Sequence, residues 1–267
     1  MRSTKPAVSF IFITLLLDVL GFGLLIPVGP SLVKSLLHGG AGGTDAEAAK
    51  YVGALMATFY AMSFLFAPLL GVLSDRYGRR RVILIALLGS GVDYFAMALA
   101  PSLAWLFVTR VINGISGASF SVVSAYVADV TPPEKRAGAF GMIGAAFGLG
   151  FVIGPLMGGL LGSIDLRLPF YVAGGLTICN WMYGYFVLPE SLPPERRSPV
   201  ALARCNPVGA YANLARYPLV LGLAASLFLL NMSQFILHAT WALYTEHRYG
   251  WAKWEIGLSL FAVGFAG

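Results

Sequence analysis

The sequence predicts an all-α membrane protein, and three observations support this fold class. Of the 267 residues, 58% are hydrophobic and only 11% are charged, whereas a soluble domain carries about 25% charged residues. The apolar residues form blocks long enough to cross a bilayer as helices, which takes about 20 residues each. The Lys and Arg residues stand in short clusters between these blocks, as in the cytoplasmic loops of membrane proteins.

The apolar blocks predict seven complete spans and part of an eighth. The complete spans lie at residues 7–29, 52–73, 82–100, 104–127, 139–161, 169–188 and 218–244. The first block lacks a clear small-residue cleavage site, so we expect a retained helix and not a signal peptide. The eighth segment runs from near Trp254 to Gly267. Because this segment is too short to span and has no stop signal, we expect the sequence to be a fragment that ends within a helix.

The spans fall into three parts. Residues 1–188 are predicted to form a six-helix transmembrane bundle. Residues 189–217, which are rich in proline and arginine, are predicted to form a cytoplasmic linker. Residues 218–267 then begin a second bundle with the seventh helix and part of the eighth.

Positive charges in the loops predict the orientation. If the N-terminus is cytoplasmic, twelve of the 18 Lys and Arg residues lie in inside segments, five lie outside, and Arg110 lies within a span. The net charge of +6 does not indicate a nucleic-acid partner, because the sequence has no basic face or stripe. Cys179 lies in an apolar block and Cys205 in a basic loop, so no disulfide framework is expected.

Three charged residues lie inside predicted spans: Asp18, Asp93 and Arg110. Each costs about 2.5–3.5 kcal/mol at a helix centre, so we expect each to face the bundle interior, where partners or water are present. One interpretation is that they handle protons and substrate. The alternative is that they form a structural ion pair, or lie near enough to the interface to snorkel.

The loop between the second and third spans has the sequence GVLSDRYGRRR at 71–81. Gly71 is expected to let another helix approach closely, Asp75 to meet an arginine or a helix N-terminus, and Gly78 to supply a left-handed turn residue. A basic loop that only sets topology explains the arginines but not the glycines and aspartate at this spacing. The loop resembles the signature loop of the major facilitator superfamily.

Two further stretches strengthen this resemblance. The segment RVINGISG at 110–117 resembles the superfamily's fourth-helix motif, whose arginine is linked to proton coupling. A glycine series in the fifth span resembles the motif of drug/proton antiporters. Physically, glycines four apart allow close helix packing and a proline allows a bend, so packing alone remains an alternative for this series. The series comprises Gly144, Gly148, Gly150, Gly154, Pro155, Gly158 and Gly159.

The pattern is similar to that of bacterial tetracycline/proton antiporters over nearly the whole chain. The stretches that carry the similarity are LDVLGFGLLIP at 17–27, GVDY at 91–94, ADVT at 128–131 and WALYTEHRYGW at 241–251. The resemblance implies a twelve-helix major facilitator fold in the bacterial inner membrane. The last four of those helices have no counterpart here, so we expect the fragment alone not to transport.

The resemblance also implies a function, which is the exchange of a cytoplasmic drug for an external proton. The implied cargo is tetracycline chelated to a divalent cation such as Mg²⁺, the proton is the coupling ion, and no cofactor or metal is expected to be permanently bound. The implied proton and substrate residues are Asp18, Asp93, Arg110 and Asn113, with Asn231, Gln234 and His238 as weaker candidates. The implied gating residues are Gly71, Asp75, Arg76, Gly78, Arg79, Arg80, Asp129 and Arg136.

Alternatives remain at this point. The chain can belong to a major facilitator exporter of another small molecule, or be a non-functional fragment of one. The three weaker candidates can instead be polar residues satisfied between helices. A channel would need a continuous polar pore and a receptor a sizeable soluble domain, and neither is predicted. No metal cluster or nucleophile–base arrangement suggests an enzyme. The oligomeric state stays open.

The predicted topology is tested by cysteine labelling in a background without Cys179 and Cys205. Cysteines at Ser3 and Ser198 are expected to resist a membrane-impermeant thiol reagent in intact cells, while a cysteine at Gly42 is expected to react. Permeabilised cells supply the control, since all three positions then react. Labelling of Ser198→Cys in intact cells contradicts the orientation.

Overall fold

The computed structural model describes residues 5–117, 120–198, 206 and 217–266, and every regular element in these ranges is helical. The predicted all-α fold is therefore confirmed. Short 3₁₀ turns lie at Leu37–Gly40, Pro133–Lys135 and Pro194–Arg196. The α-helices are α1 (Lys5–Leu25), α2 (Gly29–Leu36), α3 (Asp45–Tyr77), α4 (Arg79–Ala98), α5 (Leu103–Gly117), α6 (Phe120–Val130), α7 (Arg136–Ile164), α8 (Leu168–Val187), α9 (Pro218–Tyr249) and α10 (Lys253–Ala266).

By length and composition, five helical stretches of the described chain can cross a membrane. They are α3, α4, the run Leu103–Val130 that contains α5 and α6, the run Pro133–Ile164 that contains α7, and α9. A sixth is added if α1 and the segment Gly29–Gly40 count as one span, with a bend of 51° between them. The helix α8 occupies the remaining predicted span at 169–188.

The first predicted span differs from the structure at its end. The helix was predicted to continue to residue 29, but α1 ends at Leu25 and the chain turns over residues 26–28 before α2 begins. Pro27 explains the break, because proline lacks an amide hydrogen and disfavours helical geometry at the residue before it. The apolar run continues through the turn, so hydropathy alone does not reveal it.

The second span extends beyond its predicted bounds because its first turn is polar. The hydroxyl of Thr44 accepts a hydrogen bond from the Glu47 amide (3.2 Å), and the Glu47 carboxylate accepts one from the Thr44 amide (2.9 Å). This capping box starts α3 seven residues before the apolar block. The helix ends before Gly78, whose φ of +100° confirms the predicted positive φ.

Backbone contact between α1 and α7 depends on glycine. A Cβ added at Gly154 would lie 2.8 Å from the Gly23 Cα atom and 2.9 Å from the Leu20 carbonyl oxygen. Gly150 packs against Val19 in the same way. Gly158 lies against the backbone of Leu24, so this face of α7 has no room for side chains.

The packing role stays a prediction for two members of the glycine series. A Cβ at Gly144 or Gly148 would meet no described atom within 4 Å. Gly71 likewise has no described atom within 4 Å of its Cβ position, so its predicted close approach to another helix stays a prediction. Spacing of four shows that glycines share a face, but not which face is covered.

The opposite side of α7 contacts α10, which belongs to the predicted second bundle. A Cβ at Gly159 would lie 3.1 Å from the Trp254 Cα atom, and one at Gly257 would lie 3.2 Å from the Gly159 Cα atom. Ile256 and Leu260 of α10 are buried with Ile26 in a small apolar cluster. The helix α7, which forms the fifth predicted span, therefore joins α10 to the predicted six-helix bundle of residues 1–188.

The helix α9 contacts the start of α3, beside α2, at the end of the bundle predicted to face outside. The Asp45 carboxylate accepts a hydrogen bond from the Lys34 ammonium (2.6 Å), and its other oxygen lies 3.0 Å from His247 Nδ1. These side chains are partly or largely exposed, and exposed ion pairs contribute little to stability. The contact nevertheless fixes which end of α9 lies beside α2 and α3.

Replacing Gly154 by valine is expected to lower the free energy of unfolding by about 1–3 kcal/mol, because the added atoms meet backbone that cannot rotate away. Gly148→Val is the matched control, since it places the same β-branched residue in the same helix against no described atom. Denaturant unfolding of the purified chain in detergent measures both. Equal losses in the two variants contradict the packing account.

Candidate functional site

A cavity of about 180 Å³ lies inside the bundle and is lined by residues of α1, α3, α4, α5, α6, α7 and α9. It lies between two apolar clusters, since Leu25 and Tyr94 of its wall belong to one and Leu15 and Val123 to the other. Most of the wall is apolar, with six phenylalanines and two tyrosines. The aromatic lining residues are Phe22, Phe59, Tyr60, Tyr94, Phe120, Phe147, Phe151 and Phe235.

Asp18 is a half-buried carboxylate in the wall of this cavity. It lies on α1 within the stretch that glycine contacts hold against α7. Among the described residues it makes no hydrogen bond or ion pair. The carboxylate is thus open to the cavity, and a proton, a cation or a ligand donor can occupy its oxygens.

Arg110 and Asn113 also line the cavity, and both donate hydrogen bonds to Asp93, which does not line it. One Asp93 carboxylate oxygen accepts hydrogen bonds from Asn113 Nδ2 (2.8 Å) and from the Arg110 guanidinium (3.4 Å). The Asp93 side chain is fully buried and that of Arg110 is 6% exposed. The helices α4 and α5 are therefore joined inside the membrane by one ion pair and one amide hydrogen bond.

Arg110 has two uncharged neighbours besides Asp93. Its guanidinium contacts the Met97 sulfur and lies 6.0 Å from the centre of the Phe59 ring, a distance at which an aromatic face attracts a cation. Its Nε and the second Asp93 oxygen have no hydrogen-bond partner among the described residues. The sequence predicted that these charges lie in the bundle interior. The structure brings Asp93, Arg110 and Asn113 together and places Asp18 in the wall of the same cavity.

The polar residues of the seventh span do not join this group. Asn231 and Gln234 are exposed and do not line the cavity, and Asn231 donates a hydrogen bond to the Leu227 carbonyl of its own helix. The His238 side chain lies outside the described residues. Instead Phe235 closes the cavity, with its ring 5.3 Å from that of Tyr60 and 6.3 Å from that of Phe22. An aromatic residue in an apolar span gives no sequence signal of such a role.

At the end predicted to face the cytoplasm, the signature loop forms a second polar group around Arg79. The Arg79 guanidinium lies 2.8 Å from Asp75 and 3.0 Å from Asp129, and donates a hydrogen bond to the Ser74 hydroxyl (2.7 Å). Its side chain is 12% exposed. One arginine therefore joins the end of α3, the start of α4 and the end of α6.

The other residues assigned to the gate have different positions. Arg80 donates to the Tyr185 carbonyl at 2.5 Å and lies over that ring. Arg136 donates to the carbonyls of Ala128 and Thr131 and not to Asp129. Arg76 makes no hydrogen bond or ion pair among the described residues. The structure therefore groups Asp75, Arg79 and Asp129, and leaves Arg76 outside the group.

Sequence reasoning missed Glu190. Its carboxylate accepts hydrogen bonds from the Arg79 and Arg80 amides at 2.9 and 3.4 Å, at the first turn of α4, where an anion is favourable. The next residue, Ser191, donates to Asp129 at 3.2 Å, and the Ser198 amide donates to the Asp75 carbonyl at 3.1 Å. The start of the linker is thus bound to the signature loop. The available signal was a single acidic residue directly after the sixth span.

Comparison with known proteins decides the family. The Major Facilitator Superfamily matches the chain over residues 11–267. The chain belongs to this superfamily. The resemblance stated from the signature loop is thereby confirmed, and the superfamily is one of membrane transporters and not of enzymes.

This major facilitator chain is similar to several tetracycline resistance proteins. It is 41% identical to the class C protein of Escherichia coli over 99% of this chain, and 38% identical to the class D protein of Salmonella ordonez over 97%. It spans 65% and 64% of the lengths of those proteins. A solved structure, the human organic anion transporter MFSD10 (TETRAN), has a TM-score of 0.77 at 28% identity and matches 99% of this chain and 70% of its own.

Arg79→Gln is expected to destabilise the chain measurably, because it removes the charge-assisted bonds to Asp75 and Asp129 and leaves both carboxylates together. Such bonds contribute about 1.5–3 kcal/mol each when well shielded. Arg76→Gln is the matched control, since it makes the same change on the same loop without losing a described contact, and surface changes usually stay within about 0.5 kcal/mol. Thermal unfolding of both variants in detergent measures the difference. Equal midpoints contradict the role of Arg79.

Proposed function

We propose that this chain carries the proton- and drug-handling half of an exporter that exchanges a cytoplasmic drug for an external proton by alternating access. The observation that carries the proposal is the cavity. It offers an open carboxylate at Asp18, a cation at Arg110 and an aromatic lining. The chemistry of this lining suits a planar polycyclic molecule with both anionic and cationic groups.

The proposed cargo is tetracycline chelated to a divalent cation such as Mg²⁺. The similarity to tetracycline resistance proteins supports this choice. The Mg²⁺ ion travels with the drug as part of the cargo, and its charge favours a carboxylate such as Asp18 as the contact. Arg110 then faces the anionic part of the chelate, and Asn113 supplies a polar contact beside it.

In the proposed coupling step, Asp18 exchanges its proton for the cationic cargo. Release of the cargo outside leaves the Asp18 carboxylate free to take up a proton. Asp93 is held by Arg110 and Asn113 behind the wall, and we assign it the positioning of these two residues. A chelate with one positive charge leaves as one proton enters, so no net charge crosses the membrane. The pH gradient therefore drives the exchange, at about 1.36 kcal/mol per pH unit.

The proposed gate is the group around Arg79. Its bonds to Asp75 and Asp129 join the ends of α3, α4 and α6, and breaking them would release these ends during rocking between the two bundles. We further propose a bacterial inner-membrane location with a cytoplasmic N-terminus, which the distribution of positive charges supports.

A second candidate is the export of an organic anion without a metal. Arg110 in the cavity wall supports it, as does the fold similarity to the organic anion transporter MFSD10. In that case the anion contacts Arg110, and Asp18 serves the proton alone. The two candidates differ in their need for a divalent cation, which a transport assay with and without Mg²⁺ resolves.

The test is a chimera in which this chain replaces the matching 65% of the class C tetracycline resistance protein. Energised inverted vesicles are expected to accumulate tetracycline with Mg²⁺, and Asp18→Asn or Arg110→Gln to lower the rate at least tenfold. Asp165→Asn, on an outer turn away from the cavity, is the matched control. Full transport by Asp18→Asn, or none by the unmodified chimera although it is folded and inserted, contradicts the proposal.

A further inference from the structure

A second cavity, of about 440 Å³, lies between α3, α4 and α5, away from the central one. Its walls are apolar or small along most of its length, and Ile85 on one wall is 71% exposed. Only the end nearest the signature loop carries a charge. The residues at that end are Tyr77 and Arg81, and the deep end is formed by Gly89, Ile115 and Ser116.

The three consecutive arginines of the loop make different contacts. Arg79 bonds to Asp75, Ser74 and Asp129, and Arg80 bonds to the Tyr185 carbonyl. Arg81 makes no hydrogen bond or ion pair among the described residues, although it lines the mouth of the groove. Among the described residues, Arg81 is therefore a cation without a partner, and it lies beside an apolar groove.

The position of the groove determines what can enter it. Its mouth lies at the ends of α3 and α4 that are predicted to face the cytoplasm, and it runs along these helices into the depth of the membrane. A suitable occupant has an anionic group at the mouth and a hydrocarbon chain along the walls. Basic pockets between helices on the cytoplasmic side of a membrane bind anionic lipid headgroups.

We propose that this groove binds a phospholipid of the cytoplasmic leaflet with an anionic headgroup. The Arg81 guanidinium and the Tyr77 hydroxyl, whose side chain is half exposed, contact the phosphate. One acyl chain lies along Leu70, Leu73 and Ile85 towards Ile115. The charge of Arg81 selects the headgroup, and the apolar walls distinguish a lipid from free phosphate.

The experiment is native mass spectrometry of the purified chain in detergent with equal amounts of phosphatidylglycerol and phosphatidylcholine. We expect the unmodified chain to retain one phosphatidylglycerol in preference to phosphatidylcholine. Arg81→Gln is expected to lower this occupancy at least threefold, and Arg81→Lys to keep most of it. Arg76→Gln is the matched control, because Arg76 shares the loop but does not line the groove. Thermal midpoints confirm that each variant is folded.

Several outcomes overturn the proposal. Equal losses in Arg81→Gln and Arg76→Gln mean that the loop attracts anions without a site. Equal retention of the two lipids means that the charge of Arg81 selects nothing, and displacement of the lipid by inorganic phosphate means that the walls contribute nothing. Absence of retained lipid from the unmodified chain, as a monomer or as a dimer, means that another segment or a second copy covers the groove.

Discussion

A charged side chain inside a membrane needs a partner, and in this bundle the ion pair between Arg110 and Asp93 supplies it. Arg110 and Asp93 are both buried, and their contact sets the register of α5 against α4. Asn113, one turn further along α5, adds a neutral donor to the same carboxylate. Removal of either charge would leave the other unpaired in low dielectric, which costs several kcal/mol. The polar wall of the cavity depends on this pair remaining intact.

The remaining wall depends on a different kind of contact. Asp18 has no counter-ion among the described residues. Glycines at 150, 154 and 158 of α7 allow the backbones of α1 and α7 to approach closely, and a buried hydrogen bond from Asn180 Nδ2 to the Thr14 hydroxyl (3.0 Å) joins α1 to α8. These contacts leave the Asp18 carboxylate free to change its occupant, while Arg110 and Asp93 remain paired. At the membrane surface, Arg79 also joins helices through ion pairs, here with the two carboxylates of Asp75 and Asp129.

The helices and the interior charges could be predicted from the sequence, because a bilayer disfavours short apolar segments and charges that face lipid. Long apolar blocks give the helices, and charges that interrupt them, such as Asp93 and Arg110, must lie inside. Which glycines of a series contact a neighbouring helix could not be predicted: Gly154 lies against α1, whereas no described atom lies within 4 Å of a Cβ at Gly144 or Gly148. Contacts across long sequence separation were also missed. The role of Glu190, 111 residues from Arg79, becomes visible only when both are placed in space.

The central claim is that Arg110 and Asp93 act as one buried unit on which the cavity depends. A double-mutant cycle with Arg110→Gln and Asp93→Asn, followed by denaturant unfolding in detergent, tests it most directly. If the account is right, each single variant is strongly destabilised. The double variant then loses less than the sum, with a coupling of about 0.5–3 kcal/mol. Additive losses, with no coupling between the two positions, would show that the charges are accommodated independently and would contradict the account.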